Sequence, residues 1–598
     1  MPEAVAIVVL TDAGLKVAER IRDCLPGARI HGYTPRVSGG PDVAFDDVGA
    51  ELRRLFAQGT DIVGVCAAGI LIRALAPVLA DKRGEPAVVA VAEDGSAVVP
   101  LLGGHRGANA IARRLGEALG VPAAVTTTGD VRWRVALDDP PAGWVLANPH
   151  HCKSFMARLL SGEPCRMEGE AAWLEHSGVE FRSDAALAVR VTDAPEGGDE
   201  ETLVYHRRRF ALGVGCERGV AARELADLVE GALDGAGLSP RSLAGIFSVD
   251  LKMDEPALHA LAESLALPAR FFDPAMLEAQ TPRLANPSET VFREVGCHGV
   301  AEAAALAAAG EHGTLRVAKT KSKRATCAIA EAPSPVDAAR IGRARGVLTV
   351  VGLGPGAPAW RTPAADRAIR DAAHLVGYRG YLDQVPAVPG QGRHHHRLGE
   401  ETERVDLALA LAAEGHRVAL VCSGDPGVYA MAALVFERLE AAESAHWRRS
   451  EIVVVPGVSA MHGAAALAGA PLGHDFCAVS LSDLLTPWPV IEQRLRAAAD
   501  GDFVVALYNP ASNRRRCGLA RAMEILAAAR PPATPVIVAR AVGRDAQAIR
   551  ITSLRDLDQA SVDMMTLLIV GSTETRVTGG HVYTPRGYRV KRGSEAPA

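Results

Sequence analysis

The residues with the most evident chemistry are glycines, prolines and hydroxyl side chains at the ends of apolar runs in the second half of the chain. The run VLTVV leads into GLGPG, where Gly352 and Gly354 carry no side chain and Pro355 fixes φ and lacks an N–H. Such a turn lets a ligand approach the main chain. The stretch predicts a ligand-binding turn, and a purely structural turn between strand and helix is the alternative.

A nicotinamide dinucleotide site is a second alternative for this turn. Its fingerprint spaces glycines as G-x-G-x-x-G and opens directly into a helix. Here the third glycine comes one place early and a proline intrudes. The helix is predicted to start only at Thr362, as N-cap, and Pro363. The spacing therefore argues against a dinucleotide.

Further strand ends in the second half carry similar residues. Predicted strands end at Cys422 before SGDPG, ahead of the Pro456–Gly457 turn, at Tyr508 before NPASNRRR, and at Gly571. Open α/β sheets bind ligands at the carboxyl ends of their strands, so we expect these loops to form one site. Asp425, the hydroxyls and accessible backbone suit a nucleoside with an amino-acid tail. A Walker-type phosphate cradle is absent from the sequence, which disfavours a nucleoside triphosphate.

Composition restricts the other functions of the chain. Its 598 residues predict several domains, and a formal charge of −5 argues against a general nucleic-acid binder. No apolar run of membrane-spanning length and no signal peptide is present, so we expect a cytoplasmic protein without membrane contact. The ten cysteines include no C-x-x-C pair, and we interpret the run His394–His396 as a solvated loop. We therefore expect no metal site.

The first half also alternates strand-like and helix-like segments, as α/β folds do. Residues 1–128 alternate apolar runs with amphipathic stretches, and residues 210–333 resume that pattern after an irregular central region, 129–209. We expect Trp133, Trp144 and Trp173 to anchor the core of this central region. A linker at 334–346 precedes the second half, which spans 347–588.

Two groups of basic residues in the first half are candidate anion sites. His105 and Arg106 lie between glycines ahead of a helix predicted to begin near Ala108, where a carboxylate could bind. Lys319 and Lys321 belong to a basic cluster that ends at Arg324. A tight turn and a solvated face remain the alternatives for the two groups.

The second half resembles the tetrapyrrole methyltransferases of corrin synthesis, of the precorrin-3B C(17)-methyltransferase type. The similarity is carried by GLGPG, SGDPGVYAMA, PGVSA, SLSDLLTPW, LYNPASNRRR and TPRGY. It implies a two-lobed fold, 347–455 and 456–588, that binds S-adenosyl-L-methionine and pairs as a homodimer. The cofactor contacts implied by the resemblance are Pro355, Ser423, Gly424, Asp425, Val428, Ser459, Ala460, Tyr508 and Asn509, and we expect Asp425 to hold the cofactor rather than cap a helix.

This resemblance implies methylation of precorrin-3B at C17 with contraction of the ring. Methyl transfer needs alignment, whereas contraction also needs proton movement at an oxygen. Four residues are equal candidates for that proton transfer: His474, Asp475, Asp483 and Tyr508. Arg514, Arg515 and Arg516 are candidates to bind the substrate's carboxylates.

The first half resembles CbiG, the cobalt-precorrin-5A hydrolase family. The motifs are LLGGHRGAN, TTTGD, LGVGCERG, SVDLKMDEPALHALA and VGCHGVAEAAAL. The resemblance implies a hydrolase that opens a lactone, and the alternative is a non-catalytic carrier of corrinoid intermediates. Whether the methylated substrate contains cobalt stays open at this level.

Overall fold

Short apolar strands alternate with helices along the chain, and the predicted α/β class is confirmed. The computed structural model describes residues 5–79, 85–104, 107–126, 132–133, 135–386, 390–441, 445–511 and 517–588. The chain divides into two units, Met1–Ala344 and Arg345–Ala598. Within the described ranges, no helix is both long enough and apolar enough to cross a membrane.

A six-stranded sheet forms the N-terminal part of the first unit. Helices pack on both of its faces, which explains the unbroken Val, Ile and Ala runs of its inner strands. Neighbouring strands are parallel except the last pair. In sheet order the strands are Val43–Phe45, Arg29–Tyr33, Ala6–Val9, Ile62–Val65, Val88–Val91 and Val98–Leu102, and the helices are Asp12–Arg22, Val48–Ala57, Ala68–Leu75 and Ala108–Leu119.

The central region differs from the irregular segment that we predicted. It contains a four-stranded sheet, in the order Trp144–Leu146, Thr202–Arg207, Leu187–Val191 and Cys165–Glu168, with helices Cys152–Leu160 and Ala172–Glu175. These strands are only three to six residues long, and Leu187–Val191 and Thr202–Arg207 lack a regular alternation of apolar and polar residues, so the sequence gives a weak strand pattern. As expected, the tryptophans lie in its core: Trp133 is buried, and the Trp173 ring meets those of Trp144 and Tyr205 edge-on.

A five-stranded sheet completes the first unit. Three of its strands are parallel, and an antiparallel hairpin, Thr314–Lys321 with Ala325–Glu331, forms the other side. The strand order is Ala269–Phe272, Leu243–Val249, Phe210–Cys216, Ala325–Glu331 and Thr314–Lys321. The helices are Ala222–Ala236, Pro256–Leu265, Pro274–Glu278, Glu289–Val295 and Ala301–Ala309.

The segment predicted as a linker is fixed to the first unit over most of its length. The Arg270 guanidinium donates to the carbonyl oxygens of Ile341 and Gly342, at 2.8 and 2.7 Å. Ala338 is buried in the core beside the five-stranded sheet. Residues 338–342 therefore pack on the first unit, because the Arg270 guanidinium on a neighbouring strand binds their carbonyl oxygens and Ala338 is buried.

The second unit begins with a five-stranded parallel sheet. Its first strand in the chain, Val347–Gly352, lies between Arg417–Cys422 and Glu451–Val455. The full order is Gly392–His396, His374–Tyr378, Arg417–Cys422, Val347–Gly352 and Glu451–Val455, and the helices are Pro363–Asp371, Arg379–Leu382, Glu401–Ala413, Met431–Ala441 and Ala445–Arg449. Thr362 caps the first helix by accepting from the Ala365 N–H, and Pro363 is its first residue, as predicted.

The histidine run is an edge strand rather than the solvated loop that we predicted. Residues Gly392–His396 pair in parallel with His374–Tyr378. Their side chains give no apolar alternation, so sequence periodicity could not reveal the strand.

A second five-stranded sheet and a small three-stranded sheet complete the second unit. The larger sheet has the order Phe476–Ser480, Val504–Tyr508, Thr566–Val570, Pro535–Arg540 and Ala548–Ser553. The smaller one joins Gly469–Ala470, His581–Tyr583 and Arg576–Thr578, and the helices are Ala460–Ala468, Trp488–Asp500 and Cys517–Ala529. Among the described residues of the chain, short 3-10 turns are Ala76–Val78, Pro240–Ser242, Asp250–Lys252, Thr281–Arg283, Ala338–Arg340, Pro358–Trp360 and Gln559–Ser561.

Candidate functional site

Three glycine-bearing loops meet at the carboxyl edge of the parallel sheet in the second unit. A Cβ atom on Gly352 would lie 2.5 Å from the Gly424 carbonyl oxygen and 2.8 Å from the Gly457 nitrogen. A Cβ atom on Gly457 would strike the same carbonyl. The loops can pack backbone against backbone only because these positions lack side chains. We name these three residues the glycine cradle.

The first two loops are also joined by main-chain hydrogen bonds. The Gly424 N–H donates to the Gly354 carbonyl at 2.8 Å, and the Gly354 N–H donates back to Gly424 at 3.2 Å. Gly354 and Gly424 both adopt positive φ, 77° and 70°, which glycine tolerates without strain. The buried Pro355 accepts at its carbonyl from Arg544 Nε at 3.4 Å. The GLGPG turn thus contacts both neighbouring loops of its unit.

Asp425 joins the second loop to the third. Its Oδ1 accepts from the Gly427 N–H at 2.8 Å, and its Oδ2 accepts from the Gly457 N–H at 3.1 Å. The carboxylate therefore does not cap the helix Met431–Ala441 that follows. A direct contact with a cofactor stays a prediction, whereas the structure gives Asp425 the role of holding two loops together.

The third loop is tied to the end of a strand in the second sheet. Ser459 is buried and caps the helix Ala460–Ala468, since its Oγ accepts from the His462 N–H at 3.2 Å. The Tyr508 hydroxyl accepts from the Met461 N–H at 3.1 Å. Ala460, Ser459 and Tyr508 therefore lie together, as the sequence predicts for loops of one site.

Asn509 has a strained backbone at the fourth loop. Its φ is 51°, in the left-handed region that non-glycine residues rarely occupy, and its Nδ2 donates to Ser480 Oγ at 3.1 Å. Left-handed non-glycine residues of this kind gather at functional sites because the surrounding structure must hold them. The strain is consistent with a binding role for this loop.

Tyr429 is a site residue that sequence reasoning missed. Its ring centroid lies 5.2 Å from that of Tyr508, and its hydroxyl donates to the Ala478 carbonyl at 2.8 Å. Tyr429 also has a positive φ, 51°. It lies two residues after the SGDPG loop, and an aromatic residue so close to a ligand loop is a signal that could have identified it. The neighbouring Val428 donates its N–H to the Asp425 carbonyl at 3.2 Å, and Ser423 is partly buried.

Two titratable side chains at these strand ends are held protonated. Burial raises the pKa of the Tyr508 phenol above its usual value. Burial also raises the pKa of the Cys422 thiol to about 12, and this thiol donates to the Val351 carbonyl at 3.5 Å. At neutral pH Tyr508 is therefore a hydrogen-bond donor or general acid, not a base, and Cys422 is inert.

The structure separates two of the four acid–base candidates from the others. His474 and Asp475 are exposed and contact each other, Nδ1 to Oδ2 at 3.2 Å, just before the strand Phe476–Ser480. That strand runs parallel to Val504–Tyr508 with Ser480 opposite Tyr508, so His474 and Asp475 lie at its other end. The prediction that His474 and Asp475 lie near the same loops as Tyr508 is therefore wrong. Asp483 is exposed in the loop on the Tyr508 side.

The structure describes only some of the residues that we predicted to bind the substrate. His105, Arg106 and Arg514 to Arg516 fall outside the described residues. Lys319 Nζ donates to the Asn286 carbonyl at 3.0 Å, so this ammonium has a structural contact within its own unit. Lys321 is exposed at the end of the edge strand Thr314–Lys321. A substrate role of these two lysines stays a prediction.

The glycine cradle fits a cofactor that contacts main chain. The loops that carry it offer positions without side chains, the positive-φ glycines Gly354 and Gly424, and the Ser423 hydroxyl. The rings of Tyr429 and Tyr508, which follow the second loop and end a strand of the second sheet, contact each other. A nucleoside with an amino-acid tail needs such backbone and hydroxyl contacts together with an apolar wall. The same geometry aligns bound groups and gives Tyr508 as a proton donor.

Comparisons with known proteins identify families along most of the chain. Residues 347–558 match the family model of tetrapyrrole (corrin/porphyrin) methylases. Residues 50–130 match the model of the cobalamin synthesis G N-terminal region, and residues 210–330 match that of the cobalamin synthesis G C-terminus.

Individual relatives match the second unit. A Sinorhizobium protein named precorrin-3B C(17)-methyltransferase is 46% identical over 248 residues, which are 41% of this chain and 97% of that protein. A Priestia megaterium protein named cobalt-factor III methyltransferase is 39% identical over 251 residues, which are 41% of this chain and 46% of that protein. The crystal structure of the methyltransferase CobJ has 46% identity and a TM-score of 0.39, and covers 40% of this chain and 100% of its own.

The Sinorhizobium relative is matched over nearly its whole length at an identity well above that of unrelated chains. From Val347 onward the chain therefore belongs to the tetrapyrrole methylase family, which is joined here to the two cobalamin synthesis G regions that precede it.

Proposed function

We propose that this protein acts in cobalamin biosynthesis and methylates precorrin-3B at C17, with contraction of the ring to precorrin-4, using S-adenosyl-L-methionine. The observation that carries the proposal is the glycine cradle, Gly352, Gly424 and Gly457, at the carboxyl edge of the parallel sheet. The 46% identity to a named precorrin-3B C(17)-methyltransferase supports the choice of substrate and carbon.

Residues of the four loops would hold the cofactor. Gly352, Gly354 and Pro355 would line it from the first loop, Ser423, Gly424 and Val428 from the second, Ser459 and Ala460 from the third, and Tyr508 and Asn509 from the fourth. Asp425 acts chiefly through the Gly427 and Gly457 N–H groups that it orders. S-Adenosyl-L-methionine would supply an electrophilic methyl group.

The residues of the chain contribute alignment and one proton donor. The backbone contacts of the cradle fix the position of the loops before ligands arrive, and such preorganisation lowers the entropic part of a transfer barrier. Tyr508 keeps its proton at neutral pH, since the ordinary pKa of a phenol is already about 10 and burial raises it further. It can therefore donate to a substrate oxygen on which charge develops during contraction.

Calorimetric titration with S-adenosyl-L-methionine tests the cofactor assignment on the full chain. We expect saturable binding with a Kd on the order of micromolar, the usual scale for enzyme ligands, and release of S-adenosylhomocysteine once precorrin-3B is added. Matched titrations with NADH and ATP should give no heat, because the loops lack both phosphate fingerprints. Binding of either nucleotide in place of S-adenosyl-L-methionine would contradict the proposal.

The cobalt-containing substrate of the anaerobic route is a second candidate. The specific observation in its favour is the 39% identity to a protein named cobalt-factor III methyltransferase. Parallel assays with precorrin-3B and cobalt-precorrin-3, with S-adenosylhomocysteine as the readout, distinguish the two substrates. The preferred substrate is the one with the larger kcat/KM.

For the first unit we propose hydrolysis of the lactone of cobalt-precorrin-5A, with a non-catalytic corrinoid carrier as the alternative. Its support is the match of residues 50–130 and 210–330 to the cobalamin synthesis G models. A hydrolase predicts that the full chain releases acetaldehyde from cobalt-precorrin-5A and that His105→Ala slows this release. A carrier predicts binding of the corrinoid without acetaldehyde. Absence of both binding and release would reject both functions.

We also propose that the protein forms a homodimer through the second unit. The support is the family resemblance alone, and light scattering at several protein concentrations measures the state directly. A monomer at all concentrations would contradict it.

A further inference from the structure

Three histidine rings of the second unit contact one another at one edge of its parallel sheet. His374 Nδ1 lies 3.2 Å from His394 Nε2, and the His374 ring meets that of His416 edge-on, with 4.7 Å between the centroids. We name these three residues the histidine cluster. His374 begins its strand and His416 immediately precedes the strand Arg417–Cys422. The cluster therefore lies at the amino edge of the sheet, opposite to the edge that carries the glycine cradle.

The strand register brings two of these rings together. The edge strand Gly392–His396 pairs in parallel with His374–Tyr378, and Gly392 lies opposite His374. A Cβ atom on Gly392 would lie 2.4 Å from His374 Nδ1, so the glycine leaves the space that the His374 ring occupies. His394 lies two residues further along the edge strand and shares that face of the sheet. Both rings are partly buried, whereas His416 is exposed.

Only one proton fits between His374 and His394. At 3.2 Å an N–H of one ring donates to the lone pair of the other, so one of the two facing nitrogens must carry no hydrogen. If both rings become imidazolium, both facing nitrogens carry hydrogen and two like charges are in contact. Burial lowers the pKa of both side chains, and neighbouring histidines lower it further. Full protonation of the cluster is therefore unfavourable in the folded chain.

The charged groups around the cluster do not compensate for this cost. Glu414 Oε2 lies 3.7 Å from His416 Nε2, but its charge acts on the pKa of His374 more weakly than burial or either neighbouring histidine does. The Glu414 side chain is 66% exposed, so water screens its attraction. Other charged groups near this edge in sequence are Arg393, His395, Arg417 and the ion pair Arg370–Asp371 at the end of the helix Pro363–Asp371.

His396 adds a further acid-sensitive group to the edge strand. Both of its ring nitrogens are buried and have no hydrogen-bond partner among the described residues. Burial lowers its pKa, Arg404 lowers it further, and the weaker effects of Glu400 and Glu403 oppose them. A proton on His396 is therefore also unfavourable while the strand is in place.

We propose that the histidine cluster is a pH-sensitive contact, whose protonation in mild acid weakens the pairing of the edge strand Gly392–His396 with His374–Tyr378. The ion to consider is the proton, because the described part of the chain contains no group of three or more His, Cys, Asp or Glu side chains that could hold a metal ion. An edge strand pairs with one neighbour only, so it opens more readily than an inner strand.

The direction of the pH dependence follows from the lowered pKa values. His374, His394 and His396 have lower pKa values in the folded chain than in the unfolded chain, which therefore binds more protons in acid. The stabilisation is complete above the ordinary histidine pKa of about 6.5 and is lost progressively as the pH falls below it.

Scanning calorimetry of the full-length protein and of His394→Gln, at about pH 7.5 and about pH 5.5, tests the proposal. Glutamine can still hydrogen-bond to His374 but takes up no proton. Between the two pH values the Tm of the wild type should fall further than that of the variant, by about 2–4 °C. The comparison removes the contribution of the other titrating groups. His416→Gln alters an exposed ring and should give a smaller change in the same direction, and it decides the matter if His394→Gln does not fold.

Hydrogen exchange locates the change in the sheet. At about pH 5.5 the backbone amides of Gly392–His396 should exchange faster in the wild type than in His394→Gln, and this difference should disappear or reverse at about pH 7.5. His581→Gln is the matched control, because His581 is an exposed histidine on the strand His581–Tyr583 of the three-stranded sheet. This variant should keep the pH dependence of the wild type.

Three results would overturn the proposal. The first is an equal loss of Tm between the two pH values in the wild type, His394→Gln and His416→Gln. The second is equal exchange of Gly392–His396 in acid in the wild type and His394→Gln while their Tm values differ, which would place the acid-sensitive contact elsewhere. The third is a rise of the wild-type Tm with Zn²⁺ at about pH 7.5 that His394→Gln lacks, since the two rings would then be metal ligands.

Discussion

Gly352→Ala and Gly457→Ala should each weaken S-adenosyl-L-methionine binding by about 100-fold or more. The added methyl group on Gly352 would lie 2.5 Å from the Gly424 carbonyl oxygen and 2.8 Å from the Gly457 nitrogen. Backbone atoms cannot rotate away as a side chain can, so the loops must separate. We expect this separation to reduce the free energy of cofactor binding by about 3 kcal/mol. Calorimetry on the two purified variants measures the effect, and circular dichroism checks that they fold.

Two other glycines of the second loop provide graded controls. A Cβ atom on Gly427 would lie 3.2 Å from Asp425 Oδ1, which belongs to a side chain, so Gly427→Ala should change the Kd less than about threefold. Gly424 has room for a Cβ, with its nearest neighbours at 3.9 Å, but its φ is 70°. Gly424→Ala should therefore weaken S-adenosyl-L-methionine binding by about 1–2 kcal/mol, through backbone strain alone. Equal Kd values for all four alanine variants would contradict the cradle.

Asp425→Asn should lower both cofactor affinity and stability. An amide oxygen can replace only one carboxylate oxygen, so either the Gly427 or the Gly457 N–H loses its acceptor and faces an NH₂ group. We expect the Kd for S-adenosyl-L-methionine to rise about 10- to 100-fold, from a loss of roughly 1.5–3 kcal/mol. The Tm of the cofactor-free protein should fall as well, because the bonds join two loops of the unliganded protein.

Asp500→Asn is the matched control for the loss of a negative charge. Asp500 is exposed at the end of the helix Trp488–Asp500, away from these loops in sequence, and its substitution should change neither quantity measurably. A lower affinity of Asp425→Asn with an unchanged Tm would show that the carboxylate acts on the cofactor alone. That result would remove the loop-joining role that the geometry gives it.

The cofactor loops could be predicted from the sequence because their chemistry is local. Gly352, Gly424 and Gly457 stand next to apolar strands, and the carboxyl ends of neighbouring parallel strands must share one edge. The caps Thr362 and Ser459 were predictable for the same reason, since a cap is set by residues three positions apart.

Features that depend on residues distant in sequence could not be predicted in this way. The contact of Tyr429 with Ala478 and Tyr508 links segments almost fifty residues or more apart, and nothing around Tyr429 encodes it. The local sequence does not tell whether His474 and Asp475 lie close to Tyr508. Only the strand register shows that they precede Phe476–Ser480, at the end opposite to the residue that pairs with Tyr508. Arg270, a strand residue, likewise fixes the segment around Ile341, whose own sequence resembles a linker.

The central sheet shows a different limit. Its strands Cys165–Glu168 and Leu187–Val191 carry Arg166, Glu168 and Arg190, which pair with one another on the sheet surface. The alternation of Cys165–Glu168 covers only four residues, and Leu187–Val191 shows none, so strand prediction had little pattern to use. The tryptophan core of this region was predictable because large aromatic residues are buried in most environments.

The account is tested most directly by supplying S-adenosyl-L-methionine labelled with ¹³C in its methyl group, together with precorrin-3B, and recording the ¹³C spectrum of the product. The account predicts a single enriched methyl carbon attached to C17 of a ring-contracted product, with one S-adenosylhomocysteine released per methyl. Enrichment at another ring carbon, or cofactor binding without enrichment of precorrin-3B or cobalt-precorrin-3, would contradict it.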